Sequence, residues 1–165
     1  MDLIIRELKF FEVPELLSFR VANDYNAPFE DKDVSNESVL YAFLKMLWHG
    51  ERMVNFVAMK DGKIVGYISL VFGKHKQFKG NAYLINAAVS QSERGQGIGT
   101  KLFNTVEDYS RKRGARRIEF DVFASNTRAI KLYEEFGFVT EGIHKKGVCI
   151  NGKYENHVFM ALLWC

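Results

Sequence analysis

Arg94-Gly95-Gln96-Gly97-Ile98-Gly99 is the stretch whose residue types and spacing are best suited to chemistry. Three glycines within five positions leave no Cβ to block close approach to the backbone, and they admit turns with positive φ. Successive N–H groups can therefore converge on one concavity. The run that follows, Thr100 to Val106, reads as a helix, whose first N–H groups and dipole favour an anion. Arg94 adds a full charge and a planar fork of donors matched to phosphate. The combination predicts a diphosphate site built from Arg94, Gly95, Gln96, Gly97, Ile98, Gly99 and Thr100. A bare strand-to-helix turn would explain any one of the glycines; it does not explain three.

Two familiar nucleotide motifs do not fit. No glycine stands five residues before a Gly-Lys-Ser/Thr, so there is no G-x-x-x-x-G-K-[ST] loop. Thr100 occupies the place of the last glycine in G-x-G-x-x-G, and Ser90 to Glu93 separate the preceding apolar run from Arg94. An acid about 20 residues on, Glu119, is present and does not discriminate.

A second cluster lies downstream in Ala124-Ser125-Asn126-Thr127-Arg128-Ala129-Ile130-Lys131-Leu132-Tyr133-Glu134-Glu135-Phe136-Gly137-Phe138. The glycine stretch resembles the Arg/Gln-x-x-Gly-x-Gly/Ala pyrophosphate loop of the GCN5-related N-acetyltransferase (GNAT) superfamily. This second stretch is similar to that family's Asn-x-x-Ala-x-x-Leu-Tyr-Glu-x-x-Gly-Phe signature. Together they cover residues 82–140. One departure is Gln91, where many members carry Pro. The tail from Gly147 to Asn156 resembles the final hairpin of the branch holding polyamine and ribosomal-protein N-terminal acetyltransferases.

The resemblance implies an enzyme that transfers acetyl from acetyl-CoA directly to a primary amine. It implies that the strands at 82–89 and 118–124 splay apart to admit the pantetheine arm. Backbone groups of Ala87, Ala88 and Val89 would then pair with the pantetheine amides, as an added strand would. An N–H near Ala88 or Val89 would stabilise the thioester oxygen as it gains charge. Asn126 is carried over as a pantetheine contact, and its other reading, a plain helix N-cap, is compatible with that role. Tyr133 is carried over as the acid that protonates the departing thiolate, starting from an ordinary tyrosine pKa of about 10.

The base is less clear. Where some members carry a glutamate this strand has Asn86, which cannot serve. Asp121 stands at the place of a catalytic Glu in certain protein N-terminal acetyltransferases, twelve residues before the tyrosine. A solvated carboxylate, with deprotonation through water, is the alternative, and Glu119 follows Asp121 as a candidate. Polyamines, peptide N-termini and amino-sugar drugs all stay open as acceptors.

The elements that must position these residues follow from periodicity. Leu3 to Leu8 reads as a strand and Val13 to Ala22 as a helix entered through Pro14. Asn23 to Val34 reads as an acidic loop with Tyr25 and Phe29, suited to the wall of a cationic acceptor site. Ser35 to Gly50 reads as a second helix, with Trp48 and His49 as end-packing residues. Val54 to Met59 and Ile64 to Phe72 form a hairpin through Asp61-Gly62. Gly73 to Gly80, with His75, is an exposed connection.

A helix after the glycine loop buries Ile98, Leu102, Val106 and Tyr109 and stops at Gly114. Ile118 to Phe123 alternates as a strand, and a helix from Asn126 to Gly137 precedes a last hairpin through Asn151-Gly152. The fold expected is α/β (α+β): a mixed, mostly antiparallel sheet of about six to seven strands around one splayed parallel pair, flanked by about four helices.

Composition bounds the rest. With 165 residues, 47% hydrophobic and 26% charged, one domain over residues 1–165 is expected. Asp2, Arg6, Glu7, Lys9, Glu12, Glu15 and Arg20 do not match a secretory signal, and no apolar run is long enough to span a bilayer. A cytoplasmic protein without a membrane partner is expected. Cys149 and Cys165 read as reduced bystanders with no zinc spacing, and no metal is expected.

A net charge of +3 does not by itself call for a polyanion. Arg111 to Arg117 reads as helix-end cations rather than a nucleic-acid patch. An acetyl-CoA sensor without turnover and a nucleotide- or RNA-binding protein remain as other classes. A homodimer is left open.

Overall fold

The computed structural model describes residues 2–23, 53–73, 80–150 and 152–164. The loop expected over 23–34, the helix over 35–50 and the connection over 73–80 lie almost entirely outside them. Ile4–Glu7 (β1), Met53–Lys60 (β2), Lys63–Phe72 (β3), Asn81–Val89 (β4), Arg117–Phe123 (β5), Val139–Ile150 (β6) and Lys153–Leu163 (β7) are the strands. They form one seven-stranded sheet in the order β1-β2-β3-β4-β5-β7-β6. The α-helices among the described residues are Val13–Asn23 (α1), Ile98–Lys112 (α2) and Thr127–Glu135 (α3). A fourth was expected over 35–50, outside the described chain.

The period-two pattern of the central strands sorts side chains onto two faces. Phe56 and Ala58 of β2 face α2, whose Ile98, Leu102, Phe103 and Val106 fill the larger cluster. Val57 and Met59 face the other way, with Tyr67 of β3, and meet Leu16 and Phe19 of α1. Leu102 is only 2% exposed, so truncating it to Ala should cost about 2–5 kcal/mol. The β2–β3 turn has both central residues left-handed, Asp61 at φ 52 and Gly62 at φ 77, the geometry that matches the twist of a two-residue hairpin.

The sheet's one parallel pair is what makes a site. β4 and β5 pair only through Asn81↔Arg117, Ala82↔Ile118 and Tyr83↔Glu119. Below these pairs Arg116 N–H donates to the Gly80 carbonyl at 2.7 Å and holds the two strands together. Just above them the β3–β4 register shifts from Leu70↔Leu84 to Ser69↔Asn86, leaving Ile85 without a partner. An extra residue bends its strand, and here it turns β4 away from β5. β5 stays straight because β7 pairs with it throughout, from Arg117↔Leu163 to Phe123↔His157. Beyond Tyr83 and Glu119 no pair joins the two strands, which leaves a gap in the ladder between Leu84–Val89 and Phe120–Phe123.

Candidate active site

The glycine stretch sits at the mouth of this gap. After β4 the chain makes a short 3-10 turn, Gln91–Glu93, and then reaches Gly95 at φ 81 and Gly97 at φ 74. Gly97 is the N-cap of α2 in the left-handed region, with no side chain to cap the helix. The first hydrogen bond back into the helix is Lys101 N–H to the Gly97 carbonyl, at 3.0 Å. The N–H groups of Ile98, Gly99 and Thr100 therefore have no intrahelical acceptor. A Cβ at Gly95 or Gly97 would meet nothing within 4 Å, so the space in front of the loop is open. Buried Ile98 anchors the turn while Arg94, Gly95, Gln96 and Gly97 are exposed.

Arg94 is aimed by a bond to β4: its Nε donates to the Val89 carbonyl at 3.0 Å, which leaves the outer guanidinium nitrogens for an anion. On the outer side of the loop Lys60 and Lys101 line an open recess with Leu3, Gln96 and Ile98. Lys60 is held 2.7 Å from Glu93. Periodicity gave no sign of this recess, because the two lysines meet only through the sheet.

The backbone of β4 can be assigned side by side. Ser90 N–H donates to the Val65 carbonyl of β3 at 2.9 Å. Strand backbone groups alternate direction, so those of Ala88 also face β3, and those of Ala87 and Val89 face the gap. This narrows the sequence expectation: of Ala87, Ala88 and Val89, the middle residue's polar groups belong to the sheet. The gap-facing N–H of Val89 is the donor available to a developing oxyanion. Asn86, with its amide oriented to satisfy its neighbours, accepts from Arg20 at 3.0 Å and so ties β4 to α1.

Tyr133 stands on the α2 side of the sheet. Asn126 caps α3 by accepting from Ala129 N–H at 3.2 Å, and Glu155 accepts from Ser125 N–H at 2.9 Å, which fixes the turn that launches the helix. At the other end Phe138 N–H donates to the Tyr133 carbonyl and Gly137 N–H to the Glu134 carbonyl, with Gly137 at φ 88. This αL closure folds buried Phe138 back onto the helix. The Tyr133 ring packs against Phe120, Phe136 and Phe138, with centroids at 4.2, 6.4 and 5.6 Å.

Burial in this aromatic nest pushes the Tyr133 hydroxyl up to about 12. The ordinary value of about 10 taken from the sequence is thereby corrected, because the loss of water disfavours the phenolate. A hydroxyl at that value stays protonated near neutral pH and is available as a proton donor.

Asp121 follows Phe120 on β5 and so points to the opposite face, toward α1's side of the sheet. Its side chain is 48% exposed, and one oxygen lies 2.6 Å from His157 Nδ1 on β7. The sequence reading missed His157, whose approach depends on the β5–β7 register alone. Glu119, the lesser candidate, pairs with Tyr83 in the closed part of the β4–β5 ladder, below the gap.

Three cations of the basic run that starts in the last turn of α2 are engaged by the protein itself. Arg111 pairs with Glu107 at 2.8 Å and stacks on Trp164, Arg113 lies over Phe72 and Tyr109, and Arg117 donates to Glu141 at 2.6 Å. No group of three His, Cys, Asp or Glu suited to a metal occurs among the described residues. No helix among them is long and apolar enough to cross a membrane.

A strand pair opened beside a bulge, with free helix N–H groups at its mouth, is the arrangement that the resemblance to acetyl-CoA-dependent transferases implied. The sequence profile of the Acetyltransferase (GNAT) family matches residues 18–138, and the chain belongs to that family. It is therefore an N-acetyltransferase that uses acetyl-CoA. The [ribosomal protein bS18]-alanine N-acetyltransferase of Escherichia coli (strain K12) is 33% identical over 113 residues, 68% of this chain and 73% of that protein.

The N-alpha-acetyltransferase 30 of Schizosaccharomyces pombe is 29% identical over 107 residues, 65% of this chain and 71% of that protein. A Bacillus subtilis (strain 168) relative is 32% identical over 97 residues, so the match spans only 61% of its length. Among solved structures, an acetyltransferase of the GNAT family from Streptococcus pneumoniae superposes with a TM-score of 0.83 at 25% identity, over 98% of this chain and 99% of that one.

Proposed function

We propose that the protein acetylates the α-amino group of a peptide chain, with acetyl-CoA as donor and without a covalent acyl-enzyme. The observation that carries the proposal is the gap between β4 and β5, open above Tyr83 and Glu119. It has free N–H groups at its mouth, a tyrosine hydroxyl on one face and a carboxylate on the other. In this reading the N–H groups of Ile98, Gly99 and Thr100, with Arg94, bind the diphosphate. Ala87 bonds a pantetheine amide, and the Asn126 side-chain amide adds a polar contact to the same arm. Acetyl-CoA supplies the activated acyl carbon.

The chain's own residues move protons. Asp121, on the acceptor face, takes a proton from the incoming amine, whose lone pair forms the new C–N bond. Val89 N–H stabilises charge on the carbonyl oxygen. Tyr133 donates its hydroxyl proton to sulfur as the C–S bond breaks, which leaves CoA as a thiol, and the proton shed by the new amide nitrogen restores the hydroxyl by way of solvent.

Amine basicity favours a peptide N-terminus over a polyamine. An α-amino group has a pKa of about 7.7–8.0, so roughly a third of it is neutral near pH 7.5, against about one part in a thousand for an alkyl ammonium at about 10.4. The first kind of amine needs little help from a base to reach its nucleophilic form. The E. coli relative is named as a [ribosomal protein bS18]-alanine N-acetyltransferase and the S. pombe relative as an N-alpha-acetyltransferase, which agrees with this choice. A cytoplasmic location goes with it.

The test is a panel of peptides differing in their first residue, the same peptides with blocked N-termini, and spermidine. CoA-thiol release and peptide mass would be followed for each. Turnover confined to free N-termini is expected. Faster turnover of spermidine than of every peptide would overturn the peptide reading.

A further inference from the structure

His157 lies outside every family signature, yet it makes the closest side-chain contact of Asp121. The two residues are diagonal neighbours on one face of the β5–β7 ladder, since Asp121 pairs with Phe159 and Phe123 with His157. His157 Nδ1 stands 2.6 Å from Asp121 Oδ2. The imidazole side chain is only 17% exposed and packs edge-on against Phe123, with centroids 4.8 Å apart. Its Nε2 is buried without a hydrogen-bond partner.

These facts fix the tautomer. A proton on Nε2 would bury a donor without an acceptor and turn the Nδ1 lone pair onto a carboxylate, so the proton sits on Nδ1 and is donated to Oδ2. They also argue against a purely packing role. Phenylalanine would fill the same space without stranding a buried nitrogen, so what the imidazole adds is the Nδ1 donor. Asp121 is otherwise a half-exposed side chain free to change rotamer, and a rigid donor from the neighbouring strand removes that freedom.

We propose that His157 is a positioning residue for the acceptor side of the reaction. It holds Oδ2 of Asp121 so that Oδ1 is presented to the amine above the β4–β5 gap, and Oδ1 receives the ammonium proton. The amine lone pair released by that transfer forms the new C–N bond as the thioester C–S bond breaks, and the proton then shed by the new amide nitrogen balances the one that Tyr133 gives to the departing thiolate. The inference rests on the N-acetyltransferase reading given above and adds the residue that makes its base effective.

The test uses the full chain, saturating acetyl-CoA and the best peptide of the panel. Asp121→Asn should lower kcat by about 10²-fold or more. His157→Phe should lower it at least tenfold with the KM for acetyl-CoA unchanged. His157→Asn, whose amide nitrogen lies near the place of Nδ1, should recover most of that loss. The double variant Asp121→Asn/His157→Phe should be no slower than Asp121→Asn alone, because a residue that acts through Asp121 has nothing to add once the carboxylate is gone.

Wild-type turnover in His157→Phe, losses that multiply in the double variant, or an unaffected Asp121→Asn would each overturn the proposal. A wild type that acetylates no amine would instead overturn the transferase reading. Long-range ¹H–¹⁵N spectra report on the pair without turnover: an Nδ1–H tautomer that is lost in Asp121→Asn supports it, and an Nε2–H tautomer contradicts it.

Discussion

The Tyr133 and Phe120 rings lie with centroids 4.2 Å apart on the α2 side of the sheet, while Asp121, next along β5, points to the opposite face. The strand thus presents an aromatic floor for a proton donor to one side of the gap and a carboxylate to the other. Attack by an amine and departure of a thiolate need proton transfer in opposite directions.

Gly97 and Gly114 provide a matched pair of substitutions. They stand at opposite ends of α2 with φ 74 and φ 75, and neither has an atom within 4 Å of an added Cβ. Replacing either by Ala should cost a similar 1–2 kcal/mol, roughly, of backbone strain. Only Gly97→Ala should weaken acetyl-CoA binding, because only there does the methyl group project into the cradle. Titration calorimetry on both variants checks this, and equal affinities would remove the loop from the site.

Arg94 has two tasks, a bond to the Val89 carbonyl and the open part of its fork. Arg94→Ala should weaken acetyl-CoA binding by about 1.5–3 kcal/mol, the usual worth of a charged hydrogen bond. Arg94→Lys should restore little, since one ammonium cannot both hold Val89 and grip a phosphate. Dissociation constants of the two variants decide the matter; full recovery by lysine would reduce Arg94 to a point charge.

What was legible in the sequence was local. Gly95, Gly97 and Gly137 announced left-handed turns, Asn126 announced a cap, Asp61-Gly62 announced a hairpin, and each is where its chemistry required. The expectation that β4 and β5 splay came from family resemblance; its physical cause, the bulge at Ile85, is a matter of pairing with β3 that no single-strand pattern reveals. His157 was hidden for a similar reason, since β5 and β7 are joined only through α3 and β6. The raised value of Tyr133 was hidden because Phe120 and Phe138 lie in other elements. Hydrogen-bond direction distinguishes Ala88 from Ala87 and Val89, and the side chains give no hint of it.

Glu12 makes acid stability a local prediction. Two bonds from Arg6, at 2.8 and 2.5 Å, and one from Lys9 N–H at 2.9 Å surround its carboxylate. The Arg6 bonds lead in lowering its pKa from 4.5 to about 2, against the opposing effect of burial. A carboxylate depressed in the folded state stabilises fully above its unfolded value, and that contribution is lost as pH falls through the folded one. The stability that this carboxylate contributes should therefore be lost as pH falls from about 5 toward 2. Urea titrations over that range should show the loss in the wild type and a flatter profile in Glu12→Gln; parallel profiles would mean that the pair contributes nothing.

Tyr133→Phe is the most direct test of the central claim that the thioester is broken beside the α3 tyrosine. The substitution keeps the ring against Phe120 and Phe138 and removes only the hydroxyl. Tyr109→Phe on α2 is the control: its hydroxyl accepts from Arg113 at 2.8 Å, away from the gap, and its loss should leave turnover nearly unchanged. With acetyl-CoA saturating and affinity for it preserved, Tyr133→Phe should lower kcat by about 10²–10⁴-fold. Retention of more than about a tenth of the wild-type rate would contradict the account and return Tyr133 to a packing role.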